Sequence, residues 1–163
     1  MVKTANVADR RKLRFNTIDE MMADAAKIEA AHAAGRLRHS GNWTPGQLFG
    51  HLATWIDFGF DGSPLRIPWF VKLLSRMMKK KFIHGSLQAG FKIPRVEGGT
   101  YGVEVLPFDE GMSRFRKAWA RMQKAPPALP NPVFGPLSHE EWIQLHLRHA
   151  ELHMSFLHSE PAR

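Results

Sequence analysis

The chain contains no cysteine. Disulfides, iron–sulfur clusters, thiolate zinc sites and a cysteine nucleophile are thereby excluded, and any metal must be held by His, Asp or Glu. Long apolar runs are missing too. No stretch approaches the ~18 consecutive apolar residues of a membrane span. The first sixteen residues carry five Lys or Arg where a signal peptide would have an apolar run. There is no internal repeat, no low-complexity tract and no His-Glu-x-x-His motif. Gly85 to Lys92 has the wrong spacing for a phosphate loop, Gly98-Gly99 reads as a turn, and Gly111-Met-Ser-Arg-Phe115 lacks the second glycine of a nucleophile elbow.

What is present suits one domain. The 163 residues are 44% apolar, enough to bury a core, and lie within the ~100–200 residues of a typical domain. The expectation is a soluble, cytoplasmic domain over 1–163, with 1–16 as a basic tail and 62–107 as an irregular insertion. The net charge of +8 draws nucleic acid, acidic membrane surfaces or anionic substrates. Charge is the sole signal for nucleic acid: no zinc-finger spacing, RNA-binding signature or helix-turn-helix accompanies it. Direct nucleic-acid contact is therefore not expected, and Arg10-Arg-Lys-Leu-Arg14 reads as a solvated tail.

Four segments carry helix punctuation. Thr17-Ile-Asp-Glu20 is a capping box opening a run that Gly35 closes. Thr44-Pro45-Gly46-Gln47 repeats it with proline at the first helical position, and that helix should run to about Phe60 and stop at Asp61-Gly62. A third runs from near Asp109 to near Lys124, before Pro126, and Ser138-His-Glu-Glu141 caps a fourth reaching about His158. Trp69 to Lys81 has the pattern of an additional amphipathic helix, and Thr100 to Val105 has some strand character. Ala125 to Leu137, with five prolines in thirteen residues, is a stiff surface connection. The fold expectation is all-α: a four-helix bundle with a long crossover between helices two and three.

Histidines on the fourth helix carry the strongest functional signal. At about 100° per residue, Gln144, Arg148, Glu151 and Ser155 share a narrow polar face, while His146, His149 and His153 project from the apolar arc opposite. A buried imidazole costs free energy unless its nitrogens find partners, and a metal ion meets that need. His149 and His153, four apart, can converge on one ion. His51, beside Leu48, Leu52 and Trp55 on the second helix, is a third donor, placed toward the edge of its apolar face. Three imidazoles leave an open, catalytic type of site. His146 stands one turn back, and spacing leaves it as outer partner, fourth ligand or packed residue.

The stretches Asn42-Trp-Thr-Pro-Gly-Gln-Leu-Phe-Gly-His51-Leu-Ala, Phe134-Gly-Pro-Leu-Ser-His-Glu-Glu-Trp142 and His149-x-x-x-His153 resemble the DinB-like superfamily. The likeness is to a bacterial branch labelled as a domain of unknown function and runs from about Thr17 to His158. It implies a four-helix bundle with a pocket metal, often zinc or nickel, on His51, His149 and His153. It also implies, from some relatives, that the metal activates a low-molecular-weight thiol for transfer to a small electrophile. Leu152 stands where relatives often have a further histidine.

Such a metal would act as a Lewis acid on water or thiol. No general base can be nominated: Asp57 projects away from His51, and Glu151 lies on the polar face. That weighs mildly against a hydrolase, and the leading expectation, a metal-dependent thiol transferase on a small molecule, is what the resemblance implies. The alternative is a non-catalytic, metal-stabilised binding module, a homodimer in one version, whose site a fourth ligand such as His146 would close. Less favoured is a basic nucleic-acid- or membrane-associated protein. The segment Pro68-Trp-Phe-Val-Lys72-Leu-Leu-Ser-Arg76-Met-Met-Lys-Lys-Lys81 bears on that choice. It reads as a basic amphipathic helix for a membrane or nucleic acid, or as a lid packed over the bundle, which is the favoured reading. Met77 and Met78 would then form an adaptable pocket wall. Trp43, Trp55, Trp119 and Trp142 are expected to supply core area.

Overall fold

Reciprocal capping starts two of the long helices at the expected residues. Thr44 with Gln47, and Ser138 with Glu141, each exchange side-chain and backbone hydrogen bonds. Thr17 Oγ1 likewise accepts the Glu20 N–H at 3.2 Å, while Glu20 reaches one residue further back, to the Asn16 N–H at 2.7 Å. The computed structural model describes residues 3–94 and 96–159. Its elements are α1 (Ile18–Ala33), β1 (Arg38–His39), α2 (Pro45–Asp61), α3 (Trp69–Met77), α4 (Lys79–His84), α5 (Phe108–Lys124), α6 (His139–Met154) and β2 (Leu157–His158), with short 3₁₀ turns at Thr4–Asn6 and Glu97–Gly99. The chain is mostly helical.

The sheet is a departure from the all-α expectation. The fourth helix stops at Met154, not near His158, because Leu157 and His158 pair antiparallel with His39 and Arg38. An apolar pattern such as Phe156-Leu157 suits either state, and a partner more than 110 residues away decides it.

Met21, Ala25 and Ile28 of α1, Phe49, Leu52 and Ile56 of α2, Phe115 and Trp119 of α5, and Trp142, Leu147 and Ala150 of α6 form one buried cluster. Each large aliphatic or aromatic side chain there is worth ~1.5–3 kcal/mol relative to exposure. The most extensive helix contact is α2 against α5. Glycine permits it. A Cβ on Gly111 would collide with the Gly46 carbonyl, and one on Gly46 with the carbonyls of Leu106 and Pro107. The two helices therefore meet backbone to backbone.

Three expectations are corrected. Arg10 to Phe15 is docked, not solvated: Arg11 makes two 2.7 Å bonds to Asp24, its backbone N–H reaches the Ser155 carbonyl at 2.8 Å, and Phe15 is buried. The polar face of the fourth helix is what it docks on. Arg148 and Glu151 are buried as an ion pair at 2.8 Å; Glu151 accepts the Phe15 N–H at 2.6 Å, and Arg148 donates to the Phe15 carbonyl. Burial pushes the Glu151 carboxyl up, against the pull of Phe15 N–H and Arg14.

The third concerns the insertion. Trp69 to Lys81 is helical but breaks at Met78 into α3 and the start of α4, and α3 buries no residue, so it is not a packed lid and Met77 is not a pocket wall. α4 does pack, with Ile83 against Phe134 and Leu145, and Lys79 pairs with Glu141 at 2.6 Å. Thr100 to Val105 belongs to no sheet among the described residues. Two of its carbonyls, those of Tyr101 and Val103, are taken by α2 side chains instead.

Candidate metal centre

One turn of α2 separates Gln47 from His51, and both side chains hold the same stretch of insertion. Gln47 Nε2 donates to the Val103 carbonyl at 2.6 Å, and His51 Nδ1 donates to the Tyr101 carbonyl at 2.7 Å. Gly102 between them has φ 70°, and a Cβ there would lie 2.8 Å from Thr54. Only a residue free to take the left-handed conformation lets the chain lie this close to α2. The Tyr101 carbonyl then fixes the His51 tautomer: with the proton on Nδ1, the Nε2 lone pair is available for a metal.

Across from it, α6 presents His149 and His153 one turn apart. His51 Nε2 and His149 Nε2 are 3.2 Å apart. A tetrahedral ion with bonds of about 2.05 Å needs N···N separations of about 3.3 Å, so this pair already has the required spacing. Donor atoms of His51, His149 and His153 all lie within 4.8 Å of one another, which is close enough to hold one metal ion. They form the one such group among the described residues, and no carboxylate joins it.

The three histidines come from one chain, with His51 buried and His149 and His153 partly exposed. His51 is deeper than its place at the edge of the apolar face suggested. Burial lowers all three imidazoles. His51 falls to about 4, the Tyr101 hydrogen bond opposing the shift, and His149 and His153 go well down, with neighbouring imidazoles adding to the effect. At neutral pH the rings are therefore uncharged, the state a metal requires. Aromatic rings enclose them. Trp43 stacks on His153 at 5.2 Å and 7°, and Trp55 stands edge-on to His149 at 5.9 Å.

Over residues 7–160 the sequence matches a family described as a protein of unknown function, DUF1569. The chain belongs to the DUF1569 family. No curated protein and no solved structure matches it.

In this DUF1569 protein the structure brings together the three histidines named from sequence. It does not bring in His146, whose ring lies parallel to Trp142 at 5.7 Å and edge-on to Trp119 at 6.5 Å. Neither His146 nitrogen has a hydrogen-bond partner among the described residues, and burial lowers the ring to about 3. Of the three roles that spacing left open, it takes the packed one. Asp57 is held by Arg121 at 2.8 Å and Glu151 by Arg148 and Phe15, so neither acid is in the cluster.

Sequence reasoning missed four participants. Trp43 and Trp55, assigned to the core, stand against the histidines instead, while Trp119 and Trp142 are core residues as expected. The Tyr101 carbonyl left no sequence signal, since backbone atoms have none. Arg10 stacks over Phe156 at 4.6 Å, donates to Ser155 Oγ at 3.0 Å, and its charge helps to lower His153. Nothing in a basic N-terminal run separates that arginine from its neighbours.

Proposed function

We propose that this DUF1569 protein is a DinB-like four-helix bundle, built from α1, α2, α5 and α6, that binds one divalent metal through His51, His149 and His153. We assign it a metal-dependent reaction on a small molecule, of the thiol-transferase type. The observation that carries the metal reading is the 3.2 Å Nε2···Nε2 approach of two histidines, one of them oriented through Nδ1 by a backbone carbonyl. An all-imidazole donor set suits zinc or nickel. Bound there, the ion supplies Lewis acidity that favours the anionic form of a thiol or of water.

The protein's own residues do the rest. Tyr101 holds His51 in one orientation; Trp43 and Trp55 shield the donors from water and offer an apolar wall to a substrate. Arg10, near His153, attracts an anionic group on that substrate. The absence of a carboxylate from the donor group among the described residues favours thiol transfer over hydrolysis, because a thiol needs less help from a general base. The non-catalytic module is less well supported: its closed site calls for a fourth ligand, and His146 is packed between tryptophans.

Elemental analysis of the untagged protein tests the reading, beside the variant His149→Ala/His153→Ala. The expected result is about one equivalent of zinc or nickel per chain, lost in the variant, together with metal-dependent consumption of a low-molecular-weight thiol by a small electrophile. No bound metal after incubation with zinc or nickel would return the histidines to the core. Bound metal without thiol consumption across a panel of thiols and electrophiles would favour the binding module.

A further inference from the structure

Of the 23 Lys and Arg residues, eight lie between Gly62 and Val96, a stretch with no Asp or Glu. The rest of the chain carries fifteen of each sign, so the net charge of +8 equals the charge of this one part of the insertion. The same insertion holds α3, and α3 turns its apolar side outward. At about 100° per residue, Trp69, Phe70, Leu73, Leu74 and Met77 share an arc of about 140°. Trp69 is 77% exposed, Met77 78%, and the other three more than half. Ser75 and Met78, on the opposite side, are only partly exposed.

The helix is held in that pose. Pro68 precedes it, α4 follows and is anchored through Ile83 and the Lys79–Glu141 pair, and Arg76 lies against the loop at Gly135, where a Cβ would meet Nη2 at 2.6 Å. Five large apolar side chains on a nine-residue helix are therefore presented to solvent with Lys72, Lys80 and Lys81 beside them. A surface that unites an aromatic and aliphatic stripe with uncompensated positive charge matches one environment: the interface of an anionic bilayer, where apolar side chains enter the acyl boundary and lysines meet lipid phosphates and carboxylates.

We propose that α3 is an interfacial membrane anchor that lies in the plane of an anionic lipid surface, inserting Trp69, Phe70, Leu73, Leu74 and Met77. This is independent of the histidine cluster. A second copy of the chain is the poorer occupant, because pairing two α3 faces sets Lys72, Lys80 and Lys81 against their own kind with no acid between Gly62 and Val96 to answer them. Nucleic acid is poorer too, since phosphate contacts leave the apolar stripe in water.

The test is co-sedimentation of the full chain with vesicles of phosphatidylcholine containing about one-third phosphatidylserine, against pure phosphatidylcholine. Binding is expected to the anionic vesicles, to weaken at least tenfold in Trp69→Ser/Leu73→Ser, and to weaken about fivefold per charge in Lys72→Glu and Lys80→Glu. These side chains are exposed, so far-ultraviolet circular dichroism should match the parent. No binding to anionic vesicles, binding untouched by Trp69→Ser/Leu73→Ser, or equal binding to the neutral vesicles would overturn the proposal. So would a dimer in solution that the same double variant dissociates, or DNA binding that the lysine variants abolish while vesicle binding persists.

Discussion

His146 offers a sharp test of how this core is balanced. The ring is buried and stacked on Trp142, with neither nitrogen bonded among the described residues. Replacing it by leucine, close to it in volume, removes the cost of the unsatisfied groups, ~1–3 kcal/mol, and forfeits a stacked ring contact of ~0.5–1.5 kcal/mol. At pH 7 the two nearly offset, and His146→Leu should be as stable as the parent or up to about 2 kcal/mol more stable. The pH dependence is more decisive. The folded ring is lowered from 6.5 to about 3, so the unfolded chain binds the proton first on acidification. The neutral ring's contribution is intact above pH 6.5 and is lost as pH falls toward 3, at up to about 1.4 kcal/mol per unit.

Between pH 7 and 5 this one group should cost the parent about 2 kcal/mol, and His146→Leu should be spared that loss. Urea unfolding of both proteins, metal-free in chelator, at pH 7, 6 and 5 measures it. His51 and His153 have no coupling to His146, and His149 loses only the smallest of the causes that lower it, so the difference between the curves chiefly reports His146. A variant destabilised by more than about 2 kcal/mol at pH 7, or one with the parent's full pH slope, would refute the reasoning and show that His146 has a partner.

Gly111→Ala should destabilise by about 3 kcal/mol, since the Cβ strikes the Gly46 carbonyl, a backbone atom with nowhere to go; a thermal melt reads this. Arg148→Met should cost ~3–5 kcal/mol by leaving the buried Glu151 with only the more distant Arg14, at 3.9 Å, as counter-charge, and the double variant Arg148→Met/Glu151→Gln should cost less than the sum in urea unfolding. Gly102→Ala forces a side chain into Thr54 at a φ of 70° and displaces the Tyr101 carbonyl from His51. Chelator competition should then show metal affinity lowered ~10–100-fold.

The helix starts were legible because capping is local: Thr17, Thr44 and Ser138 sit within three residues of the groups they satisfy. His149 and His153 were legible for the same reason, since one helical turn sets their spacing. Periodicity showed His51 as a histidine toward the edge of an apolar face, the resemblance tied it to the pair, and its meeting with His149 spans 98 residues. The reading of α6 erred where helix periodicity alone was used. Arg148 and Glu151 do share a face, but whether that face meets water depends on where residues 10 to 15 lie.

The sequence by itself determined the absence of cysteine side-chain chemistry, the caps, the histidine spacing and the basic charge, all properties of residue type or of neighbours a few positions apart. Tertiary structure decided what each feature faces. It docked the basic N-terminal run onto α6, ended that helix in a strand, set Tyr101 on His51, packed His146 between tryptophans and turned α3 outward. Each depends on a contact between distant segments, where burial and the satisfaction of polar groups across the whole chain outweigh local pattern.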